Sequence, residues 1–263
     1  MANNISPQAV VSPKAKIGQN VTIFPFAYIE DDVVIGDDCV IYPYVSVMNG
    51  TRMGSGNKIH QNTVLGAIPQ DFNYRGDATT LVIGNNNIIR ENVVINRATF
   101  ADGETRIGDS NFIMEGVHIS HDTHIGHRCV LGYGSKIAGD TEFQNAVILS
   151  SNVIINPGCR IGVGAMVSSG CRVSRDVPPY IVANDNPVTY GGLNEKVLAN
   201  NGVDDKAQRH ISNAYRLVFH GKTALHDDIL QIREQIPDGV EIHNIVEFLD
   251  TTKLGIIGKE IGQ

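Results

Sequence analysis

The chain has 263 residues, with 28 Asp and Glu against 21 Lys and Arg, a formal net charge of −7 and 42% hydrophobic side chains. That length suits one long domain or two ordinary ones, and the acidic balance disfavours a nucleic-acid backbone as partner. No apolar run approaches the ~20 residues of a membrane span, and Met1-Ala2-Asn3-Asn4 carries no secretory pattern, so a cytoplasmic protein with no transmembrane segment is expected.

From Val11 onward large apolar residues recur every sixth position: Ile17, Ile23, Ile29, Ile35, Ile41, Val47, Met53, Ile59 and Leu65. The same phase resumes at Ile83, Ile89 and Ile95 and runs from Ile107 to Val173, broken only at Asp71, Asp77 and Ala101. A period of six is neither helical nor that of a long strand; short alternating segments joined by turns produce it. Gly18, Gly36, Gly54, Gly108, Gly126 and Gly162 fall on a grid of three hexads, which predicts three-sided coils with one corner that needs glycine for unusual φ. Small or β-branched residues two positions before the ruler (Ala15, Val21, Ala27, Val33) predict a core of alternating large and small side chains. Cys39, Cys129, Cys159 and Cys171 share that small slot, as buried thiols rather than disulfides or metal ligands.

In chain order, residues 1–10 read as an incomplete first coil, and repeat arrays need caps. Two loops at about 67–82 and 96–105 should project without loss of register, and long loops in compact folds often carry function. The ruler ends at Arg175-Asp176-Val177-Pro178-Pro179-Tyr180, where two prolines cannot continue a ladder. The period then turns helical. Asp204 or Asp205 caps a helix through Ala207, Ile211, Tyr215 and Val218 to Gly221; Thr223 opens a second, stopped by Pro237; a third covers 242–249. The expected architecture is mainly β, an array of three-sided coils over 1–190 followed by a small α-helical C-terminal domain over 191–263. Outer faces with few charges predict a symmetric homo-oligomer.

The chemistry centres on Val117-His118-Ile119-Ser120-His121-Asp122. His121 lies outside the inward slot, and adding one coil places Gly139 as its vertical neighbour. An imidazole beside a bare backbone N–H supplies a general base and an oxyanion donor for acyl transfer, with Asp122 orienting the ring. A surface histidine is more often merely solvated, so spacing alone leaves this open. His118, His121, His124 and His127 recur every three residues, but on a coil they diverge, so no metal site is expected within one chain. No nucleophile elbow is present and every cysteine is inward, which favours direct transfer in a ternary complex.

Several motifs then carry a likeness: Pro69-Gln70-Asp71-Phe72-Asn73-Tyr74, His118-Ile119-Ser120-His121-Asp122, Ala138-Gly139, Asp176-Val177-Pro178-Pro179-Tyr180 and Asn213-Ala214-Tyr215-Arg216-Leu217. The chain resembles hexapeptide-repeat acyltransferases, which implies that its coils form a left-handed parallel β-helix, and more narrowly the acyl-carrier-protein-dependent UDP-N-acetylglucosamine O-acyltransferases that begin lipid A biosynthesis. The resemblance implies a homotrimer with active sites between subunits, and transfer of a 3-hydroxyacyl chain from acyl carrier protein to the 3-hydroxyl of UDP-N-acetylglucosamine. It implies no bound cofactor beyond the carrier's phosphopantetheine. His121 would be the base, Asp122 its partner and Gly139 the oxyanion donor; Asp71, Gln70, His118 and Asn194 would contact substrate, and Ser169 would tune acyl length. Lys196 is a candidate counter-charge for the nucleotide. The exposed helix face of Lys206, Arg209 and Arg216, with Asn213 between them, offers a carrier-protein landing site. The chain departs from the family pattern at Asn73, Asn96, Asp140, Asn156-Pro157 and Asn200-Asn201, where basic, histidine or glutamine side chains are usual. A paralogue acting on another UDP-amino sugar, the later N-acyltransferase of the pathway, a trimeric β-helix zinc hydratase and a silent scaffold are the competing readings.

Overall fold

A computed structural model describes residues 2–221 and 223–259. Most strands are two residues long, such as His118–Ile119, and the chain turns a corner after each one. One residue of each pair faces inward because successive side chains on a strand point to opposite sides. The strands assemble into three flat walls. The first runs from Asn4–Ile5 to Thr189–Leu193 with 11 strands, the second from Val10–Val11 to Arg172–Val173 with 9, and the third from Lys16–Ile17 to Arg160–Ile161 with 8. Pairing is parallel throughout except between Ile181–Asn184 and Thr189–Leu193. These are the three-sided coils that the hexads predict, in the left-handed parallel β-helix that the resemblance implies.

Register follows the ruler. Ile119 pairs with Ile137 one lap on, Ile59 with Ile89 across the first loop, and Ile89 with Ile113 across the second. The first loop leaves after Val64–Ala67 and returns at Thr80–Ile83; the second leaves after Val94–Asn96 and returns at Glu104–Ile107. Inside, the ruler residues from Ile23 to Val173 are buried. The small slot carries a polar ladder through part of the core: Asn57 Oδ1 accepts the Asn87 N–H (2.9 Å), Asn87 Oδ1 that of Asn111 (2.8 Å), and Asn111 Oδ1 that of Cys129 (2.7 Å). The four cysteines are unpaired and buried. Burial pushes the Cys129 thiol up to about 11 and, with Asp176 nearby, the Cys159 thiol up to about 12, which leaves them inert.

The glycine grid exists for a different reason from the one its spacing suggests. Left-handed backbone falls two residues later, at Asn20 (φ 56°), Asp38 (57°), Ser110 (58°) and Arg128 (56°). The grid glycines instead meet the coil beyond them. A Cβ on Gly108 would lie 2.5 Å from the Gly126 carbonyl oxygen, and one on Gly36 2.6 Å from the Gly54 carbonyl carbon. Coils stacked at the ~4.8 Å spacing of paired strands leave no room for a side chain pointing along the axis. The residue after the grid position closes the corner with its side chain: Asp109 accepts from the Asn85 N–H (2.6 Å), His127 Nδ1 from the Asp109 N–H (2.9 Å), and Asn145, where Gln144 holds the grid position, from the His127 N–H (2.8 Å). His127 is thereby a rung of this ladder.

The prolines do not end the first wall. Ile181–Asn184 pairs with Met166–Val167, and the hairpin to Thr189–Leu193 caps that wall. Four helices follow: α1 (Glu195–Asn200), α2 (Asp205–His220), α3 (Leu225–Gln235) and α4 (Val240–Asp250). Asp204 caps α2 through the Ala207 N–H, as the sequence suggested, whereas α3 starts after Ala224 with no side-chain cap and α1 has no counterpart in the periodicity. Asp176, only 1% exposed, ties the helices to the coil by accepting from Arg160 Nε (3.0 Å), the Arg160 N–H (2.9 Å) and Thr252 Oγ1 (2.8 Å). Tyr215 on α2 donates to the Pro179 carbonyl (2.6 Å). No helix among the described residues is long and apolar enough to cross a membrane.

Replacing Gly108 by Ala should lower unfolding stability by ~1–3 kcal/mol, the usual cost of overpacking, because the Cβ meets backbone that cannot step aside. Denaturant unfolding checks this, and an unchanged midpoint would contradict the packing account.

Candidate active site

The corner between the second and third walls holds the candidate catalytic residues. Ile119 is buried in the core, so its neighbour His118 faces outward, paired laterally with Val94 and Lys136. The chain then turns through Ser120-His121-Asp122, with Asp122 at φ 56°, a conformation that Asp tolerates because its short polar side chain bonds locally.

The His121 ring lies against Gly139 of the next coil. A Cβ there would sit 2.5 Å from Cε1, 2.7 Å from Nε2 and 3.0 Å from Nδ1 of the ring, so only glycine permits the contact. The Gly139 N–H finds no acceptor among the described residues. At the glycine-grid corner a side chain one coil on takes the equivalent N–H; here that position is Pro157, which has nothing to offer.

Asp122 Oδ2 is 2.8 Å from His121 Nδ1. With Nδ1–H donating to the carboxylate, Nε2 carries the free lone pair of a general base. Nε2 faces Asp71 Oδ2 at 3.6 Å, across from the first projecting loop, while Asp71 Oδ1 accepts the Asn73 N–H (2.8 Å). The three side chains are 15%, 18% and 20% exposed for His121, Asp122 and Asp71, sheltered yet open on one side. Asp140 follows Gly139 on the same corner, and crowding by protein, then Asp122 and Asp71, hold its carboxyl above the usual range. Burial, and secondarily Lys136, keep His118 below the ordinary imidazole value.

The other candidates divide. Gln70 is exposed beside Asp71. Asn194 is 5% exposed; its side chain caps α1 by accepting from the Val197 N–H and donates to the Gly164 carbonyl (2.9 Å). Lys196 is exposed on α1. Ser169 is exposed at the corner between the first and second walls, not at the His121 corner. Lys206, Arg209, Asn213 and Arg216 share the exposed face of α2. Of the departures, Asn156 accepts from Arg172 Nε (3.2 Å), Asn201 is the C-cap of α1, and Asn96 is buried and donates to the Ile68 carbonyl (2.8 Å). Arg97, which no sequence signal marked, reaches Tyr74 OH (2.8 Å) and the Asn49 carbonyl (3.0 Å).

Comparison with known proteins gives the family. The model of bacterial transferase hexapeptide (six repeats) matches residues 14–45, 32–67 and 104–139, and that of UDP N-acetylglucosamine O-acyltransferase domain 2 matches residues 176–257. The acyl-[acyl-carrier-protein]–UDP-N-acetylglucosamine O-acyltransferase of Thermodesulfovibrio yellowstonii is 37% identical over 97% of this chain and 99% of its own. The chain belongs to the UDP-N-acetylglucosamine O-acyltransferase family. A second member, from Halorhodospira halophila, is 34% identical over 96% of this chain and 98% of its own. The crystal structure of the Bacteroides fragilis UDP-N-acetylglucosamine acyltransferase superposes with TM-score 0.94 at 43% identity, covering 96% of this chain and 99% of that one. That of Acinetobacter baumannii gives 0.93 at 31%, covering 96% and 99%.

In this member of the family Gly139→Ala should cost about 10²-fold in turnover, since a displacement of ~1 Å at a reacting group is enough. Stability should fall by under ~1 kcal/mol, because the clash is with a part-exposed ring that can swing out. Equal loss of both would contradict the contact as a catalytic one. His118 should titrate by NMR below the ordinary histidine value, and Lys136→Met should move that titration upward, because a nearby cation opposes imidazolium formation. No upward movement would remove Lys136 as a cause.

Proposed function

We infer that the protein transfers a 3-hydroxyacyl chain from acyl carrier protein to the 3-hydroxyl of UDP-N-acetylglucosamine, the first step of lipid A biosynthesis. The observation that carries the chemistry is the stack of His121 on Gly139, with Asp122 on one ring nitrogen and the other facing out. His121 Nε2 takes the proton of the attacking sugar hydroxyl as its oxygen bonds to the thioester carbonyl carbon. The Gly139 N–H stabilises the resulting oxyanion, Asp122 the imidazolium, and collapse releases the carrier's phosphopantetheine thiol, which recovers the proton. Asp71 and Gln70 would hold the sugar, with His118 close by on the second wall. No cofactor of the protein's own enters this scheme.

The working unit is proposed to be a cytoplasmic homotrimer with the site between subunits. Ser169 lies at the opposite edge of the second wall from His121, so a role in measuring the acyl chain requires it to come from a neighbouring copy. Phe72, Ile68 and Phe100 on the two projecting loops are 100%, 59% and 58% exposed in the single chain, apolar surface suited to such a neighbour. The basic face of α2, with Lys206, Arg209 and Arg216, complements an acidic carrier, and Lys196 on α1 offers a charge where Asn200 and Asn201 give none. Replacement of basic groups by asparagines favours a second reading of the acceptor alone: another UDP-amino sugar with the same acyl transfer.

Incubation with UDP-N-acetylglucosamine and a panel of 3-hydroxyacyl carrier proteins, with products weighed by mass spectrometry, tests substrate and acyl length together. His121→Ala should lose ~10²–10⁴ in turnover, at least ~3 kcal/mol of transition-state stabilisation; a folded variant with near-full activity would overturn the assignment. Arg209→Glu with Arg216→Glu should raise the KM for the carrier and leave that for the sugar nucleotide unchanged.

A further inference from the structure

The second projecting loop makes no contribution of its own to the scheme above, yet its side chains and backbone converge on the reaction centre from behind. Thr99 donates its backbone N–H to both oxygens of Asp122, at 3.3 and 3.1 Å. Thr105, fully buried at the loop's return, accepts the Asp122 backbone N–H on Oγ1 at 2.9 Å. Asp122 is thus gripped by its carboxylate and by its main chain, and it needs both. Its φ of 56° is a conformation that an Asp backbone leaves easily once its hydrogen bond is lost, and rotation there swings the carboxylate off Nδ1.

The same loop holds the opposite side of the imidazole. Asn96 donates to the Ile68 and Ala67 carbonyls at 2.8 and 3.4 Å. Arg97 reaches the Gly66 carbonyl (3.4 Å), the Asn49 carbonyl (3.0 Å) and Tyr74 OH (2.8 Å). All but Asn49, which lies on the coil beneath, belong to the root and crown of the first loop, which carries Asp71 to within 3.6 Å of Nε2. One segment therefore fixes both carboxylates that flank His121.

We propose that residues 96–105 are the positioning element of the active site, with Thr99 and Thr105 setting Asp122 and Asn96 and Arg97 setting the loop of Asp71. None of them touches the reacting atoms; each acts through another residue. The inference rests on the transferase reading, and it extends that reading to residues outside the motif that suggested it.

Thr105→Val removes the acceptor and keeps the shape; Thr105→Ser keeps the acceptor. In the full-length enzyme Thr105→Val should lower kcat by about 10²-fold with both KM values within about twofold, and Thr105→Ser should restore most of it. Placed on Asp122→Ala, Thr105→Val should cost less than about twofold further, since its effect has no other route. An equal loss on both backgrounds, or full activity of the single variant, would overturn the proposal for Thr105. Arg97→Met tests the other arm without disturbing the core: the KM for UDP-N-acetylglucosamine should rise about tenfold while that for the carrier protein stays constant, and an unchanged acceptor KM would overturn that arm. Failure of the transferase reading itself is distinguishable, because it would appear as an inactive wild-type protein or an active His121→Ala.

Discussion

The spacing between stacked coils governs everything else in this molecule. Parallel strands hydrogen-bond at ~4.8 Å, and at that distance a side chain directed along the axis meets the next lap's backbone. The constraint selects glycine at Gly36, Gly54, Gly108 and Gly126 for shape. At Gly139 it does something more, bringing a bare backbone against the face of His121. The proposed reaction centre is a place where the stacking rule meets a titratable side chain, and coil register holds the two groups together.

Around that contact the polar groups are arranged so that each has one task. Asp122 fixes the tautomer of His121 and is itself fixed by the second loop. Asp71 faces the working nitrogen from the first loop. Pro157 denies the Gly139 N–H the acceptor that its equivalents find at the glycine-grid corner, as His127 does in Asn145, so this donor has no acceptor among the described residues. An unspent donor beside a part-buried imidazole suits a developing oxyanion, since it needs no reorganisation when charge appears.

The periodic part of the molecule was legible because a hexad leaves a side chain few choices: the ruler from Val11 to Val173 gave the walls, their register and the two excursions, and one added coil paired His121 with Gly139. What escaped depends on contacts that no spacing encodes. The glycine grid was assigned to unusual φ, yet it answers a steric demand from the next coil. The first wall passes Pro178 and Pro179 because they fall in a turn before Ile181–Asn184 and not within a strand. α1 is too short to show a helical period, and that concealed the role of Asn194 as its cap. Arg97 and Thr99 were invisible because loop residues follow no ruler, and Asn96 stood out only as a departure from the family pattern; Thr105, two positions before Ile107 in the small inward slot, looked like simple core.

The central claim is that an acyl thioester lies with its carbonyl carbon before His121 Nε2 and its oxygen on Gly139. A crystal structure with a non-hydrolysable analogue of the 3-hydroxyacyl-phosphopantetheine donor tests this most directly. The account predicts that carbonyl oxygen within ~2.7–3.1 Å of the Gly139 nitrogen, the reach of an oxyanion donor, on the side of the imidazole that faces Asp71. A donor seated elsewhere, or with its carbonyl turned away from residue 139, would contradict it.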